Sequence, residues 1–431
     1  MVPATVLAVF FLWPVGTLLA RVLEPGSVAD ALGAPGLGRV LWFTFAQAVA
    51  STAITLALGC VPAYVLGRFR FPGRRALLAV VTVPFMLPTV VVGAAFLALL
   101  PESWHGTGRA VVVAHVFFNI AVVVRIVGSM WAAIPHDLTG AARTLGASPW
   151  QMVAHVVLPL LRPSLIAAGS VVFLFTFTSF GAAALLGGAA NPTLEVEIAR
   201  RATQLGDVSG AAVLSVLQML LLVGVVWWSS RAQRRAALEL RGQEPRRAPR
   251  SRQERRLVPI AAIVTLAVMA APMLVMVVRS VRLGGRFTLS AWRQLGNPSP
   301  GRPGAGLGVD ALASVATSLR YAAVATLIAL AVGALASLAI AGARIHGRLL
   351  DLGMMLPLGT SAVTVGLGML ITFDVAPFDW RGEWWLVPVG HALVAVPFVV
   401  RAAVPVLRSI PSGQRDAAAT LGASPLRGWW W

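Results

Sequence analysis

Lysine is absent from this chain of 431 residues, and its 35 basic side chains are all arginines. A Walker A loop requires a lysine on the nucleotide phosphates, so the chain cannot hydrolyse ATP through a conventional P-loop. Schiff-base catalysis on lysine is excluded for the same reason. The sequence therefore rules out two common classes of lysine-dependent enzyme.

Charged residues are scarce as well, because they make up only 12% of the chain while hydrophobic residues make up 58%. Soluble domains contain about 25% charged residues, so this composition predicts an integral membrane protein. The lone cysteine, Cys60, permits neither an internal disulfide nor a thiolate zinc cluster. The six histidines show no metal-ligand spacing, so we expect no metal site and no catalytic cluster.

About ten segments contain the roughly 20 mostly apolar residues that a bilayer-crossing helix requires. Their predicted ranges are 2–22, 40–66, 76–100, 110–133, 164–187, 210–229, 257–279, 315–343, 351–373 and 386–407. With the N-terminus in the cytoplasm, most arginines fall in cytoplasmic loops, as the positive-inside rule expects. The net charge of +19 is then explained by topology, and we predict no nucleic-acid partner.

A polar hexapeptide occurs twice in the chain, as Thr144–Pro149 and again as Thr420–Pro425. The two halves also match at Gly59 and Gly333, which lie in corresponding apolar segments. Duplicated spans of one orientation are typical of parallel repeats in transporters. The predicted organisation is a first repeat at 1–230 with six spans, a basic and solvated or disordered linker at 231–256, and a second repeat at 257–431 with four spans.

The residues around the first hexapeptide predict a helix–turn–helix at 139–163 on the cytoplasmic face. Gly146 can adopt the left-handed conformation that ends a helix. Ser148 is a good N-cap, Pro149 suits the first helical position, and Gln151 completes a capping box. We expect the second helix to end at Leu158-Pro159, before the next span.

The spacing in this loop resembles the Glu-Ala-Ala loop signature of permease subunits in bacterial ABC importers. The matching positions are Gly140, Ala141, Ala142, Gly146, Val156, Leu158 and Pro159 in the first copy, and Asp416, Ala417, Ala418 and Gly422 in the second. Two copies in one chain are similar to the fused permeases of the iron(III) and thiamine uptake families. A full-length member of those families would continue through two further spans after residue 431.

The resemblance implies an all-α integral membrane protein of the bacterial inner membrane, with two pseudo-repeats of the type I ABC importer permease fold. It also implies that the eight Gly, Ala and Asp residues named above, from Gly140 to Gly422, couple the chain to a cytoplasmic ABC ATPase dimer. ATP would be bound by that partner, and this chain would bind no cofactor. An extracytoplasmic solute-binding protein would deliver the solute, with iron(III) or a thiamine-like molecule expected.

Several polar or helix-breaking residues within the predicted spans are candidates for the solute pathway. The hydroxyls either line the pathway or bond back to the preceding helical turn. The prolines predict broken helices, which are tolerated at membrane depth only in protein or beside a cavity. The candidates are Thr176, Thr178, Ser179, Pro84, Pro88, Pro357, Thr360 and Ser361.

Four other residues admit more than one interpretation. For His115 and His391 we favour packed, hydrogen-bonded histidines. Glu195 and Glu197 occupy a predicted outward loop. They could form a solvated face, a docking site for a binding protein or an acidic entrance for a cation.

The alternative function is an ion-coupled secondary transporter, which would require carboxylates buried within the spans, and the sequence places none there.

Overall fold

A computed structural model of the chain describes residues 2–236, 246–293, 295, 310–342, 345–409, 413 and 420–422. Helices dominate this part, and its only sheet is the hairpin of β1 (Arg282–Leu283) with β2 (Arg286–Phe287). Within the described residues, eight helices are long and apolar enough to cross a bilayer, and a bent helix pair makes a ninth candidate. The predicted all-α membrane class is confirmed.

The elements divide into two compact units, each formed by residues that are distant in the sequence. One unit, called here the major unit, contains Ala29–Asp207 and Leu220–Arg293, and the other, the minor unit, contains Met1–Val28, Val208–Met219 and Gln294–Trp431. The first helix of each predicted repeat therefore packs with the other repeat. The units of packing differ from the predicted division at 230 and 257, and the sequence repeats themselves stay a prediction.

The major unit contains most of the helices. They are α4 (Leu37–Arg68), α5 (Arg74–Met86), α6 (Thr89–Leu99), α7 (Gly108–Ala133), α8 (His136–Thr144), α9 (Pro149–Met152), α10 (Leu158–Phe177), α11 (Gly181–Leu186), α12 (Leu194–Arg200), α14 (Arg252–Ser280) and α15 (Ser290–Arg293). Helix α13 (Val208–Ala236) continues from the minor unit into this one.

Small residues bring α4 and α7 into close contact at the centre of the major unit. A Cβ at Gly59 would lie 2.9 Å from Cβ of Val123, and one at Gly67 would lie 2.4 Å from the carbonyl oxygen of Gly128. Small residues are the usual means by which membrane helices approach backbone to backbone.

The minor unit contains α1 (Val2–Leu7) and α2 (Trp13–Val22) joined by a π turn at Ala8–Leu12, α16 (Ala311–Gly342), α17 (Ile345–Met355), α18 (Ala362–Thr372) and α19 (Leu386–Ser409). Helix α3 (Ser27–Gly33) begins in this unit, and its residues from Ala29 onward belong to the major unit. Gly333 on α16 faces Val399 on α19, where an added Cβ would lie 2.7 Å from the valine Cβ. This contact has the same form as that of Gly59 with Val123. The sequence match of Gly59 with Gly333 thus corresponds to a shared helix contact.

The predicted third span, 76–100, is broken as the prolines indicate. Helices α5 and α6 meet at an angle of 105°, across a break at Leu87 and Pro88. Leu87 is extended, with φ −72° and ψ 143°, because the proline ring that follows disfavours the helical region for the residue before it.

The predicted ninth span, 351–373, is also broken, as Pro357 indicates. Helix α17 gives way to a 3₁₀ turn at Leu356–Gly359, and α18 starts only at Ala362. The Ser361 hydroxyl accepts the backbone N–H groups of Val363 and Thr364, and so caps α18. A cap of this kind marks a new helix start.

The described part of the 231–256 linker, which leaves out residues 237–245, is largely exposed, in agreement with a solvated segment, but it is ordered. The backbone of Arg247 bonds to Arg68 and Arg70, and its guanidinium bonds Glu254 and lies 5.0 Å from the ring centroid of Phe69. Ser251 and Glu254 form a capping box that starts α14. An aromatic contact and a charge-assisted bond give this segment a fixed position.

Candidate functional site

The duplicated loop begins where α8 ends, and Gly146 closes the helix as predicted. Gly146 has φ +80°. The N–H of Leu145 donates to the carbonyl of Ala141, and the N–H of Ala147 donates to that of Ala142, each at 3.0 Å. This bonding and a left-handed glycine are the features of a Schellman motif, which satisfies the last helical carbonyls.

The second helix of the loop starts with the predicted capping box. The Gln151 N–H donates to the Ser148 hydroxyl at 3.3 Å, and the Ser148 N–H donates to the Gln151 side-chain oxygen at 2.9 Å. Pro149 occupies the first turn, where its missing N–H leaves no bond unmade. Three residues therefore determine the direction in which the chain leaves the turn.

The expected end of this helix at Leu158-Pro159 is wrong, because one helical stretch continues from Pro149 to Phe177. A π turn at Val153–Val157 precedes the proline, and the Leu158 N–H reaches back five residues to the carbonyl of Val153. The wide turn changes the bonding just where Pro159 lacks a donor. The loop thus continues directly into a span.

Large apolar side chains project from this turn. Leu145 is 87% exposed and Trp150 is 76% exposed. Gly140 and Ala141 beside them are also exposed, and a Cβ at Gly140 or Gly146 would meet nothing within 4 Å. Leu145 and Trp150 therefore form an apolar protrusion flanked by small residues, and no described residue covers it.

The start of the loop is attached to the membrane helices by Arg68, a residue that sequence reasoning missed. The buried Arg68 guanidinium donates to the carbonyl of Ile134, where α7 ends. Ile134 is itself 1% exposed. A charged residue at the end of an apolar span was the available signal, because a buried charge requires partners.

The second copy has the same backbone conformation at its glycine. Gly422 has φ +81° and Leu421 is 89% exposed, which matches Gly146 and Leu145 of the first copy. The other predicted residues of this copy lie outside the described residues. These are Asp416, Ala417 and Ala418.

Of the pathway candidates, Ser179 takes part in a buried polar cluster with His115 and Gln47. The Gln47 amide donates to the carbonyl of Thr176 at 2.9 Å, so its oxygen accepts from Nδ1 of His115 at 2.9 Å. Nε2 must then accept from the Ser179 hydroxyl at 2.8 Å. The packed interpretation of His115 is confirmed, and Gln47 was missed because its partners are distant in sequence.

Other hydroxyl candidates bond within their own segments. Thr176 and Thr178 donate to the carbonyls of Val172 and Leu174 one turn earlier, each at 2.9 Å. Thr360 donates to Leu356 in the same way. A role in the pathway stays a prediction for these residues.

The proline candidates and His391 differ in their exposure. Pro84 and Pro357 are buried, whereas Pro88 is exposed. His391 is exposed and lines a groove beside Met369 and Gly390, so its interpretation as a packed histidine is wrong. The correspondence between His115 and His391 in sequence does not extend to their surroundings.

The solvated-face interpretation of Glu195 and Glu197 is also wrong, since their exposures are 0% and 6%. Arg200 and Arg201 bond the Glu197 carboxylate at 2.8 and 3.0 Å, and Arg201 also bonds Asp207 at 3.3 Å. Burial would raise the pKa of Glu197, but the two arginines outweigh it and hold the pKa below its usual value.

Comparison with known proteins gives a matching family and several relatives. Residues 56–237, which include the 139–163 loop, match the family described as binding-protein-dependent transport system inner membrane component. The chain is 29% identical over 259 residues to the thiamine transport system permease protein ThiP of Salmonella typhimurium, covering 56% of this chain and 48% of that one. The chain thus spans about half the length of this curated relative.

Two further relatives and one solved structure are similar to the chain. Identity is 33% over 158 residues to the sulfate transport system permease protein CysT of Escherichia coli, covering 34% of this chain and 57% of that one. It is 25% over 464 residues to the probable ABC transporter permease protein y4fN of Sinorhizobium fredii, covering 96% and 79%. The inward-facing MetNI methionine ABC transporter matches with a TM-score of 0.39 and 23% identity, covering 47% of this chain and 96% of that one.

Proposed function

Since the chain belongs to the inner membrane components of binding-protein-dependent transport systems, and is an ABC importer permease, we propose that it couples to its ATPase through two matched loops. The loops are 139–163 and the turn around Gly422. Leu145, which precedes Gly146, and Leu421, which precedes Gly422, enter apolar sockets on a separate cytoplasmic ATPase dimer. This assignment places the N-terminus in the cytoplasm.

The observation that carries the proposal is the match between Gly146 and Gly422, each preceded by a leucine that is nearly nine-tenths exposed. An exposed leucine gains about 1.5–3 kcal/mol when it is transferred from water to an apolar socket. Two equal surfaces suit a partner with two equal sockets, as a two-fold dimer provides. The absence of lysine, and with it of a Walker A loop, assigns ATP to that partner.

For the solute, we propose a thiamine-like cation delivered by an extracytoplasmic binding protein. The support is the similarity to permeases named for thiamine transport. Relatives named for sulfate transport make an oxyanion the second candidate. The relatives described above give no support to iron(III), the other solute expected from the sequence.

One observation favours the alternative of an ion-coupled transporter, namely that Glu195 and Glu197 are buried. Glu197, however, is already neutralised by Arg200 and Arg201. Both glutamates also lie on α12, a short helix outside the candidate spans. A carboxylate held by two arginines is poorly suited to bind and release a proton near neutral pH, so ATP-driven import is preferred.

The test is co-purification with a candidate ABC ATPase, together with uptake of labelled thiamine in vesicles. Leu145→Ala and Leu421→Ala should each weaken association by roughly 10- to 150-fold, from the transfer free energy of one leucine. Gly146→Trp and Gly422→Trp should abolish it. Leu23→Ala, at a leucine that is 83% exposed outside both loops, should have no effect.

Two results would contradict the assignment. Association that survives both leucine replacements would show that the loops do not bind the ATPase. Uptake that continues without any ATPase, and stops when the proton gradient is collapsed, would support the ion-coupled alternative instead.

A further inference from the structure

A groove of about 670 Å³ runs between α5 and α14 in the major unit. Its walls are apolar and come from Ala76, Leu77 and Val80 on α5 and from Val258, Ile263 and Leu266 on α14. Ile263 and Leu266 are 65% and 45% exposed, so the groove is open along one side. Both helices belong to candidate membrane spans by length and composition, so in a bilayer this open side would be accessible to lipid.

The dimensions of the groove correspond to one leaflet of a bilayer. It extends along α14 from Arg255 to Leu266, which is about 16 Å at 1.5 Å per residue. Half of the hydrocarbon core of a bilayer is about 15 Å thick. The groove thus accommodates an apolar chain that lies parallel to the helices and enters from one membrane surface.

The end of the groove at that surface is strongly basic. Arg70 and Arg255 line it, both are exposed, and neither forms an ion pair with a described residue. Arg247 and the N–H groups of Arg250 and Ser251 already bind the nearby carboxylate of Glu254. Two unneutralised guanidinium groups therefore stand at the mouth of an apolar groove.

We propose that this groove is a binding site for an anionic phospholipid, with the phosphate between Arg70 and Arg255 and one acyl chain along α5 and α14. Arginine bonds phosphate oxygens through two parallel N–H donors, which suits a headgroup held at a fixed depth. A zwitterionic lipid would bind more weakly, because its own cationic group would lie beside the two arginines and be repelled by them. A free anion would leave the apolar walls unoccupied, so the shape and the charge together select an anionic lipid.

The site would also connect the lipid to the position of the linker. The backbone N–H of Arg70 donates to the carbonyl of Arg247 at 2.9 Å, and the N–H of Arg247 donates to the carbonyl of Arg68 at 3.3 Å. Arg68 in turn holds the carbonyl of Ile134 at the start of the 139–163 loop. An occupied headgroup site would thus stabilise the segment that supports this loop.

The experiment is native mass spectrometry of the full chain in mild detergent, titrated with phosphatidylglycerol or phosphatidylcholine of equal acyl length. Phosphatidylglycerol should bind more tightly. Arg70→Gln with Arg255→Gln should weaken its binding on the order of thirty-fold, at about one kcal/mol for each arginine, and leave phosphatidylcholine unchanged. The matched control, Arg286→Gln with Arg293→Gln, removes two exposed arginines outside the groove and should change neither.

A second variant tests the apolar part of the site without altering its charge. Ile263→Trp fills the groove at an exposed position and should weaken phosphatidylglycerol binding while both arginines remain. If this variant bound the lipid normally, the acyl chain would not lie in the groove. Equal affinity for the two lipids, or an equal loss in the Arg286 and Arg293 control, would overturn the proposal.

Discussion

The close approach of α4 and α7 gives a sharp test of what holds the major unit together. In Gly67→Ala the new Cβ would lie 2.4 Å from the carbonyl oxygen of Gly128 and 3.2 Å from its carbonyl carbon. Carbon atoms pack best at about 3.5–4.0 Å, so the helices must separate by about 1 Å. The obstacle is backbone, which cannot rotate away as a side chain can.

Overpacking of this kind costs about 1–3 kcal/mol. The higher helix propensity of alanine stabilises the helix by about 1 kcal/mol and offsets part of this loss. Separation also stretches the bond from Arg68, the next residue, to Ile134. We therefore expect a net loss of about 1–2 kcal/mol.

Gly224→Ala is the matched control, because Gly224 lies in α13 with nothing within 4 Å of an added Cβ. It should leave stability unchanged or raise it by up to about 1 kcal/mol. Thermal unfolding in detergent, followed by fluorescence of the 14 tryptophans, compares the two variants. A Gly67→Ala protein that unfolds at the same temperature as Gly224→Ala would refute the argument.

Two further predictions concern the loop and the buried carboxylate. Ser148→Ala removes the N-cap, should cost about 1 kcal/mol, and should speed backbone hydrogen exchange at Gln151, while Ser148→Asn should restore slow exchange. Because the pKa of Glu197 is lowered, its contribution to stability is complete above the unfolded pKa of about 4.3 and is lost as pH falls through the folded value. Melting temperatures measured from pH 5 down to pH 2, the range below and around the unfolded pKa, should therefore fall less steeply for Glu197→Gln than for the wild type. Parallel curves would contradict this.

The geometry of the 139–163 turn was predictable because each of its determinants is local. Gly146 ends a helix by its own freedom to take positive φ, and Ser148 and Gln151 bond each other across three residues. Such bonds require no distant partner, so the sequence that encodes them also reveals them. The continuation of the helix past Pro159 was not predictable in this way, because it depends on a π turn that places the proline where its missing N–H does little harm.

The buried polar residues show the opposite case. Gln47, His115 and Ser179 lie far apart in the sequence. Only the packing of α4, α7 and the break between α10 and α11 brings their side chains within 3 Å. Arg68 likewise gains its role from Ile134, which lies 66 residues away. The burial of Glu197 was also not predictable from its neighbours in sequence. The sequence placed Glu197 in an exposed loop, whereas in the structure it is buried and paired with Arg200 and Arg201.

The sequence by itself determined the membrane class, most spans and the turn at Gly146, because hydrophobicity and helix-end chemistry act over a few neighbouring residues. Only the tertiary structure decided that the first helix of each predicted repeat packs with the other repeat. It also decided which charges are buried, and it brought α5 and α14 together around an apolar groove with Arg70 and Arg255 at one end. These outcomes depend on contacts between helices, and helix periodicity alone does not specify which helices meet.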